Sequence, residues 1–131
     1  MKPNDSIKLF RQMLIGINQL TQKSSTDGRA LNQYLQNDDI VKSLILKYDP
    51  ETITYQFVNS MPQLIDEGLA DGNYKQTKMG PLVYFAGLTF KGNEFLIETT
   101  KPSTLKKIGS FLKQTGVSLT PSLIMQIIQR L

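Results

Sequence analysis

A chain of 131 residues, 40% hydrophobic and 20% charged, has the size and composition of one small globular domain. It contains neither cysteine nor histidine, which excludes disulfides, thiolate metal ligands, a cysteine nucleophile and an imidazole base. The net charge of +4 is compatible with an anionic partner without requiring one.

No targeting or membrane-spanning signal stands out, and we expect a cytoplasmic protein without a cofactor. No stretch reaches the roughly 18 apolar residues of a membrane span, and the polar opening MKPNDSIKLF lacks a signal peptide's apolar run. We find no catalytic or metal-binding spacing and expect no enzyme. The adjacent carboxylates Asp38 and Asp39 point to different helix faces, so helix capping explains them better than shared catalysis.

The first predicted helix covers residues 5–22, with Asp5 or Ser6 as its N-cap. Its apolar residues recur at helical spacing: Ile7, Phe10, Met13, Leu14, Ile17 and Leu20. A loop is expected over residues 24–28 because of their composition.

Residues 30–48 fit two descriptions. Their apolar residues roughly match one or two helices, which we favour. The run Leu44-Ile45-Leu46 alternatively predicts a short strand of the kind that pairs with a β-wing.

The central segment predicts a helix. Asp49 is its N-cap, Pro50 its first residue and Gly68 its C-terminal stop. Pro62 lies inside the pattern and predicts either a kink or the start of a second helix capped by Ser60.

A β-hairpin is expected next. Turn signals at Asp71-Gly72 and Gly80-Pro81 surround the stretch Tyr74–Met79. The run Leu82–Phe85 is rich in strand-forming residues. The two strands would enclose a basic tip.

The C-terminal part predicts three helices. Thr89 caps the first of them, Ser103 starts a second that runs to Gln114 and stops at Gly116, and Thr120-Pro121 opens the last. The last helix is too apolar for one exposed face: Leu123, Ile124, Met125, Ile127, Ile128 and Leu131. We expect it to pack on the first helix or on a second copy, and we expect a homodimer formed through residues 103–131.

This order of elements predicts a mostly helical α+β protein. We expect a winged helix-turn-helix over residues 1–100, with an antiparallel sheet of two or three strands. Residues 101–131 would form a two-helix extension that packs on this domain or on a second copy.

Two segments, Gln63–Leu69 and Gly87–Leu96, resemble a winged-helix family of Gram-positive bacteria and their phages that is catalogued as a domain of unknown function. In that family a helix ends in a leucine-rich pattern closed by Ala-Gly-Leu, and a wing strand leads to Leu-Thr-Trp-x-Gly-His-x-Phe-Leu. Here Phe90 takes the tryptophan position and Asn93 the histidine position. The likeness covers roughly residues 48–131. It implies the fold and a regulatory or phage-linked context, and it carries no functional residues over.

Charge is divided unevenly along the chain. Residues 1–48 have a net charge of +3, residues 49–72 one of −5 and residues 73–131 one of +6. DNA affinity depends largely on lysine and arginine contacts to phosphate, and the helix that would read the bases lies in the acidic segment. We therefore expect double-stranded DNA to be held from elsewhere, by the wing and the first helix.

The candidate DNA-binding residues follow from this distribution. Amide side chains on the central helix suit base edges, and lysine or arginine suits phosphate. The candidates are Gln56, Asn59, Lys75, Lys78, Lys8 and Arg11. An ordinary solvated helix face accounts better for the first two, and protection of a strand edge accounts equally well for the two wing lysines.

The alternative function is a protein-interaction module. In that case the acidic surface of residues 49–72 would face a basic protein partner, and the winged helix would serve as a scaffold. Neither function involves a membrane.

Overall fold

The computed structural model describes residues 1–116 and 119–130. This part of the chain forms seven helices and a three-stranded antiparallel sheet, and 67% of the described residues are helical. The helices are α1 (Pro3–Leu20), α2 (Gly28–Gln36), α3 (Asp39–Tyr48), α4 (Pro50–Asp66), α5 (Phe90–Glu98), α6 (Pro102–Thr115) and α7 (Pro121–Gln129). The strands are β1 (Thr26–Asp27), β2 (Ala70–Thr77) and β3 (Gly80–Leu88). The predicted α+β class and its small antiparallel sheet are confirmed.

The strand order in the sheet is β1-β3-β2. β3 lies in the centre because it pairs with β2 through a hairpin and with β1 across the sequence. Val83 and Phe85 of β3 point into the core, and their neighbours Leu82 and Tyr84 lie on the opposite, exposed side, as the two-residue period of a strand requires. One sheet face is therefore covered by helices.

Helix α1 begins earlier than predicted. Its N-cap is Lys2, and Pro3 occupies the first helical turn, where a missing N–H has no cost. The prediction of Asp5 or Ser6 as the cap is wrong. Asp5 lies inside the helix, where its buried carboxylate accepts hydrogen bonds from Lys47 Nζ at 2.8 Å and from the Tyr48 hydroxyl.

Residues 30–48 belong to two helices, and the strand alternative for Leu44-Ile45-Leu46 is wrong. The Asp38 carboxylate caps α3 by accepting from the Val41 amide at 3.0 Å, as expected for an acidic residue before a helix. The third strand is instead β1, inside the segment predicted as a loop. Its two residues obtain their conformation from pairing with β3, a cause outside their own composition.

Helix α4 runs unbroken through Pro62. A second helix capped by Ser60 is therefore wrong, and Ser60 is itself buried. Met61 and Leu64 on either side of the proline are buried in the core. This burial offsets the hydrogen bond that a proline removes from a helix.

The turn predicted at Asp71-Gly72 is also wrong, because both residues lie in β2. The pairing register shifts between them. A Cβ added at Gly72 would lie 2.1 Å from the Tyr84 carbonyl oxygen, so glycine is needed here for the close approach of two strands. The actual hairpin turn is Lys78-Met79. The predicted turn at Gly80-Pro81 lies instead in the first two residues of β3, directly after the actual turn.

The predicted N-caps of three further helices are confirmed. Asp49, Thr89 and Thr120 cap α4, α5 and α7 by accepting hydrogen bonds from amides three residues later. Helix α6 starts at Pro102, one residue before the predicted Ser103. It ends at Gly116, whose φ of 65° lies in the region that favours glycine.

The C-terminal helices share the core of the rest of the protein. Ile108 of α6 and Ile124 and Met125 of α7 are completely buried, in one cluster with Met13 and Ile17 of α1. Most of the apolar side of α7 is therefore covered within a single chain. Leu131, predicted on the same side, lies outside the described residues, and the dimer through 103–131 stays a prediction.

Candidate nucleic-acid interface

Helix α4 exposes one ridge of side chains. Its buried face consists of Ile53, Phe57, Ser60, Met61 and Leu64. On the opposite side, Glu51, Tyr55, Asn59 and Asp66 are exposed, because these positions recur about every four residues along a helix. This ridge carries both a base-reading amide and an aromatic hydroxyl.

The two candidate residues on α4 are three positions apart and therefore neighbours on the helix surface, but they differ in exposure. Asn59 is exposed on the ridge, whereas Gln56 is half-buried in a cleft that Met1, Pro3 and Leu112 also line. Asn59 is therefore the more accessible of the two amides. Tyr55, with 69% of its surface exposed, is the residue that sequence reasoning missed. Tyr55 does not share the helical spacing of the apolar residues of α4, and this difference could have identified it as exposed from the sequence.

The two wing lysines are both exposed. Lys75 pairs with Leu82 across the hairpin, and Lys78 lies in the turn itself. Thr77 stabilises that turn, because its hydroxyl donates to the Gly80 carbonyl at 2.6 Å and accepts from the Met79 amide at 3.2 Å. A short hairpin with a fixed tip holds the Lys78 backbone in one place.

A groove of about 490 Å³ separates α4 from the wing. Thr54 and Val58 line it from α4, Leu82 and Tyr84 from β3, and Arg29 from the first turn of α2. Leu82 and Tyr84 are each about half exposed. The wing and α4 thus lie on two sides of one open groove.

The two candidates on the first helix differ in their surroundings. The Arg11 guanidinium donates to the Leu96 carbonyl at 2.7 Å and to the Thr99 hydroxyl, and burial lowers the pKa of Arg11. Arg11 therefore joins α1 to the C-terminal end of α5. Lys8 is exposed, and its Nζ lies 3.8 Å from the Asp5 carboxylate.

The acidic segment 49–72 does not form one surface. Asp49 caps α4, and Asp66 accepts a hydrogen bond from the Tyr74 hydroxyl at 2.7 Å, a bond that raises the pKa of Tyr74. Glu67 accepts from the Ser122 amide at 3.1 Å. Burial raises the pKa of Glu67, and the bond from Ser122 acts against that effect.

The other two carboxylates, Glu51 and Asp71, are exposed at opposite ends of the segment. Helix α4 has 17 residues, and at 1.5 Å per residue its two ends are roughly 24 Å apart, with Glu51 in the first turn and Asp71 beyond the last, in β2. Three of the five acidic side chains thus have a partner within the chain.

Among the residues that the structure describes, no group of three or more carboxylates is placed to hold a metal ion. The same residues include no helix with both the length and the apolar character needed to cross a bilayer.

No family model, curated protein or solved structure matches this chain, and the family resemblance of residues 48–131 stays a prediction.

Proposed function

We propose that the chain is a non-enzymatic, DNA-associated winged-helix protein in which α4 enters the major groove and the β2–β3 wing contacts the flanking backbone. The observation that carries the proposal is the arrangement around α4. This helix leads directly into a hairpin whose second strand is the centre of a β1-β3-β2 sheet. The helix exposes a polar ridge, and the hairpin carries two exposed lysines.

The chemistry of the ridge supports base and backbone contacts. An asparagine amide, such as that of Asn59, pairs with adenine in the major groove by donating to N7 and accepting from the N6 amino group. The hydroxyl of Tyr55 on the ridge and that of Thr54 beside it in the groove are both exposed and suit phosphate and sugar oxygens. This side of α4 therefore combines one base-reading group with two positioning groups.

Charge limits the strength of this contact. The ridge has no cation, and Glu51 and Asp66 stand near its two ends. Phosphate contacts must come from neighbouring elements, of which the wing is the nearest, since the wing and α4 share a groove. Binding of this kind depends strongly on salt.

The alternative, an acidic surface over 49–72 that faces a basic protein, has less support. Asp49, Asp66 and Glu67 each accept a hydrogen bond from the chain itself. The exposed carboxylates are spread out, with Asp49 and Glu51 at the start of α4 and Asp66 and Asp71 at or beyond its other end. Such a spread makes a poor electrostatic target for one partner.

Random-sequence duplex DNA should bind with micromolar affinity at about 50 mM salt and much more weakly at about 200 mM. Changing both Lys75 and Lys78 to alanine should weaken binding equally across sequences, because phosphate contacts carry no sequence information. Each lost contact flattens the plot of log affinity against log salt by about 0.9, so the slope should fall by up to about two units. Fluorescence anisotropy of a labelled duplex measures both quantities.

A matched control removes two lysines elsewhere. Lys42 on α3 and Lys107 on α6 are exposed, and the Lys42→Ala, Lys107→Ala variant has the same net charge as the wing variant. If the control and the wing variant bind DNA equally, the wing is not a phosphate clamp. If the unchanged protein does not bind at tens of micromolar at either salt, the DNA proposal itself is wrong.

A further inference from the structure

A basic cleft of about 560 Å³ lies between the start of α1, the end of α3 and the last turns of α6. We name it the lysine cleft, because four lysines line it: Lys2, Lys8, Lys47 and Lys113. These lysines come from three separate parts of the chain. Together they bring positive charge to one surface that none of those parts has alone.

Among the described residues, Asp5 is the only acidic side chain that lines the lysine cleft. Its carboxylate is almost entirely buried and accepts a hydrogen bond from Lys47 Nζ at 2.8 Å. This bond raises the pKa of Lys47, so the ammonium stays charged. Four lysines and one carboxylate leave a net charge of +3, most of the +4 of the whole chain.

Helix α6 extends this charge along its exposed side. Lys106 and Lys113 are two turns apart on the helix and therefore lie on the same side of it. From Pro102 to Arg130 the sequence contains no acidic residue. The C-terminal extension is thus a source of cations with no internal partner of opposite charge.

The lysine cleft and the wing lie on opposite sides of α4. On one side, Thr54 and Val58 face the groove shared with the wing. On the other, Gln56 lines a cleft that shares Pro3 and Leu112 with the lysine cleft. The order across the surface is therefore wing, α4 ridge, lysine cleft.

We propose that the lysine cleft is a second phosphate-binding surface, which contacts the DNA backbone on the side of α4 away from the wing. A helix in the major groove, which is about 12 Å wide, has a phosphate backbone on each side. The wing reaches one of these backbones and the lysine cleft the other. This inference rests on the proposed DNA function and gives α6 a direct part in it.

The proposal explains how a helix without cations is held on DNA. Arg11 is bonded to α5, and the wing supplies only Lys75 and Lys78. The lysine cleft adds Lys113, Lys2 and Lys8 on the opposite flank, which more than doubles the number of lysines available for phosphate contacts. Contacts on both flanks also fix the direction in which α4 crosses the groove.

The first test changes the two cleft lysines that lie on different helices, Lys8 and Lys113, to glutamine. Anisotropy titrations of a random-sequence duplex should show a salt slope reduced by up to about two units. The control is Lys42→Gln with Lys107→Gln, which has the same charge and lies outside the cleft. Its slope should stay closer to that of the unchanged protein.

A second readout locates the contact directly. Because the chain has no cysteine, the single variants Lys113→Cys, Lys78→Cys and Lys42→Cys each carry one thiol. Bound duplex should slow the reaction of a charged thiol reagent at positions 113 and 78 and leave position 42 unchanged. This measurement requires no knowledge of a preferred DNA sequence.

The outcomes separate the two proposals. If the wing variant loses salt dependence while the cleft variant matches its control and position 113 is not protected, the lysine cleft is not a DNA contact and the proposed function stands. If cleft and wing variants both lose salt dependence, both proposals hold. If the unchanged protein binds no duplex at either salt, both are overturned.

Discussion

Replacing Gly92 with alanine is expected to lower the free energy of unfolding by about 2–3 kcal/mol. Gly92 lies in the first turn of α5 and is buried. A Cβ at this position would lie 2.1 Å from the Leu69 carbonyl oxygen and 3.1 Å from its carbon. Both atoms belong to the backbone, so no side chain can rotate to make room and α5 must move away from β2.

That movement would disturb the junction between α4, β2 and α5. The Thr89 hydroxyl donates to the Gly68 carbonyl at 2.6 Å and accepts from the Gly92 amide at 3.0 Å. The Thr89 amide donates to the Leu69 carbonyl at 3.2 Å. The two bonds to the Gly68 and Leu69 carbonyls require α5 to lie close to the end of α4, and each contributes about 1 kcal/mol.

Gly109 provides the matched control. It lies in the interior of α6, and an added Cβ would meet nothing within 4 Å. Gly109→Ala should raise the free energy of unfolding by about 0.5–1 kcal/mol, because alanine favours the helix. Urea denaturation with an unchanged m-value measures both variants. If Gly92→Ala and Gly109→Ala had equal free energies of unfolding, the close contact between α5 and the Leu69 carbonyl would not contribute to stability.

Replacing Asp5 with asparagine is expected to cost about 1.5–3 kcal/mol at neutral pH. The carboxylate is buried and accepts hydrogen bonds from Lys47 and from Tyr48. These two bonds lower the pKa of Asp5 in the folded protein, against the opposing effect of burial. Asparagine keeps one acceptor oxygen but loses the charge that makes the bonds strong.

The direction of the pKa shift fixes the pH dependence. A lowered folded pKa means that the stabilisation by Asp5 is fully present above its unfolded pKa of about 3.9. It is lost as the pH falls through that value toward the folded pKa. The difference in unfolding free energy between the unchanged protein and Asp5→Asn should therefore be constant near neutral pH and shrink below about pH 4.

Asp71→Asn is the control for this pH series. Asp71 is exposed on β2, and the same chemical change there should alter stability by less than about 0.5 kcal/mol. A stability gap for Asp5→Asn that does not change between neutral pH and pH 3 would show that the charge of Asp5 does not stabilise the fold. Asp5 is the acidic side chain of the lysine cleft and is not a phosphate contact. The Asp5→Asn variant should therefore bind DNA with a salt dependence at least as steep as that of the unchanged protein.

The order of helices and strands is largely a property of local sequence. Asp49, Thr89 and Thr120 cap their helices, and Gly116 ends one, because caps and stops act on amides and carbonyls within a single turn. Such contacts need only neighbouring residues. The same holds for the predicted strand Leu82–Phe85, whose residue types favour an extended backbone and whose alternate residues pack into the core.

Other features depend on contacts that local sequence does not contain. β1 is a strand because β3 lies beside it, and α4 continues through Pro62 because the surrounding core buries both sides of the proline. Gly72 was predicted in a turn, as glycine often is, yet it serves the close approach of β2 to β3. In each case packing decides against the local preference.

The candidate site also has features that local sequence determines and others that depend on tertiary contacts. The sequence by itself determined the basic wing, the polar exposed face of α4 and the excess of cations in the C-terminal extension. Only the tertiary structure decided that Arg11 bonds to α5, that Gln56 is half-buried while Asn59 is exposed, and that the acidic segment is dispersed. It also brought Lys2, Lys8, Lys47 and Lys113 to one cleft, because charges distant in sequence form a surface only when the core has fixed which helices meet.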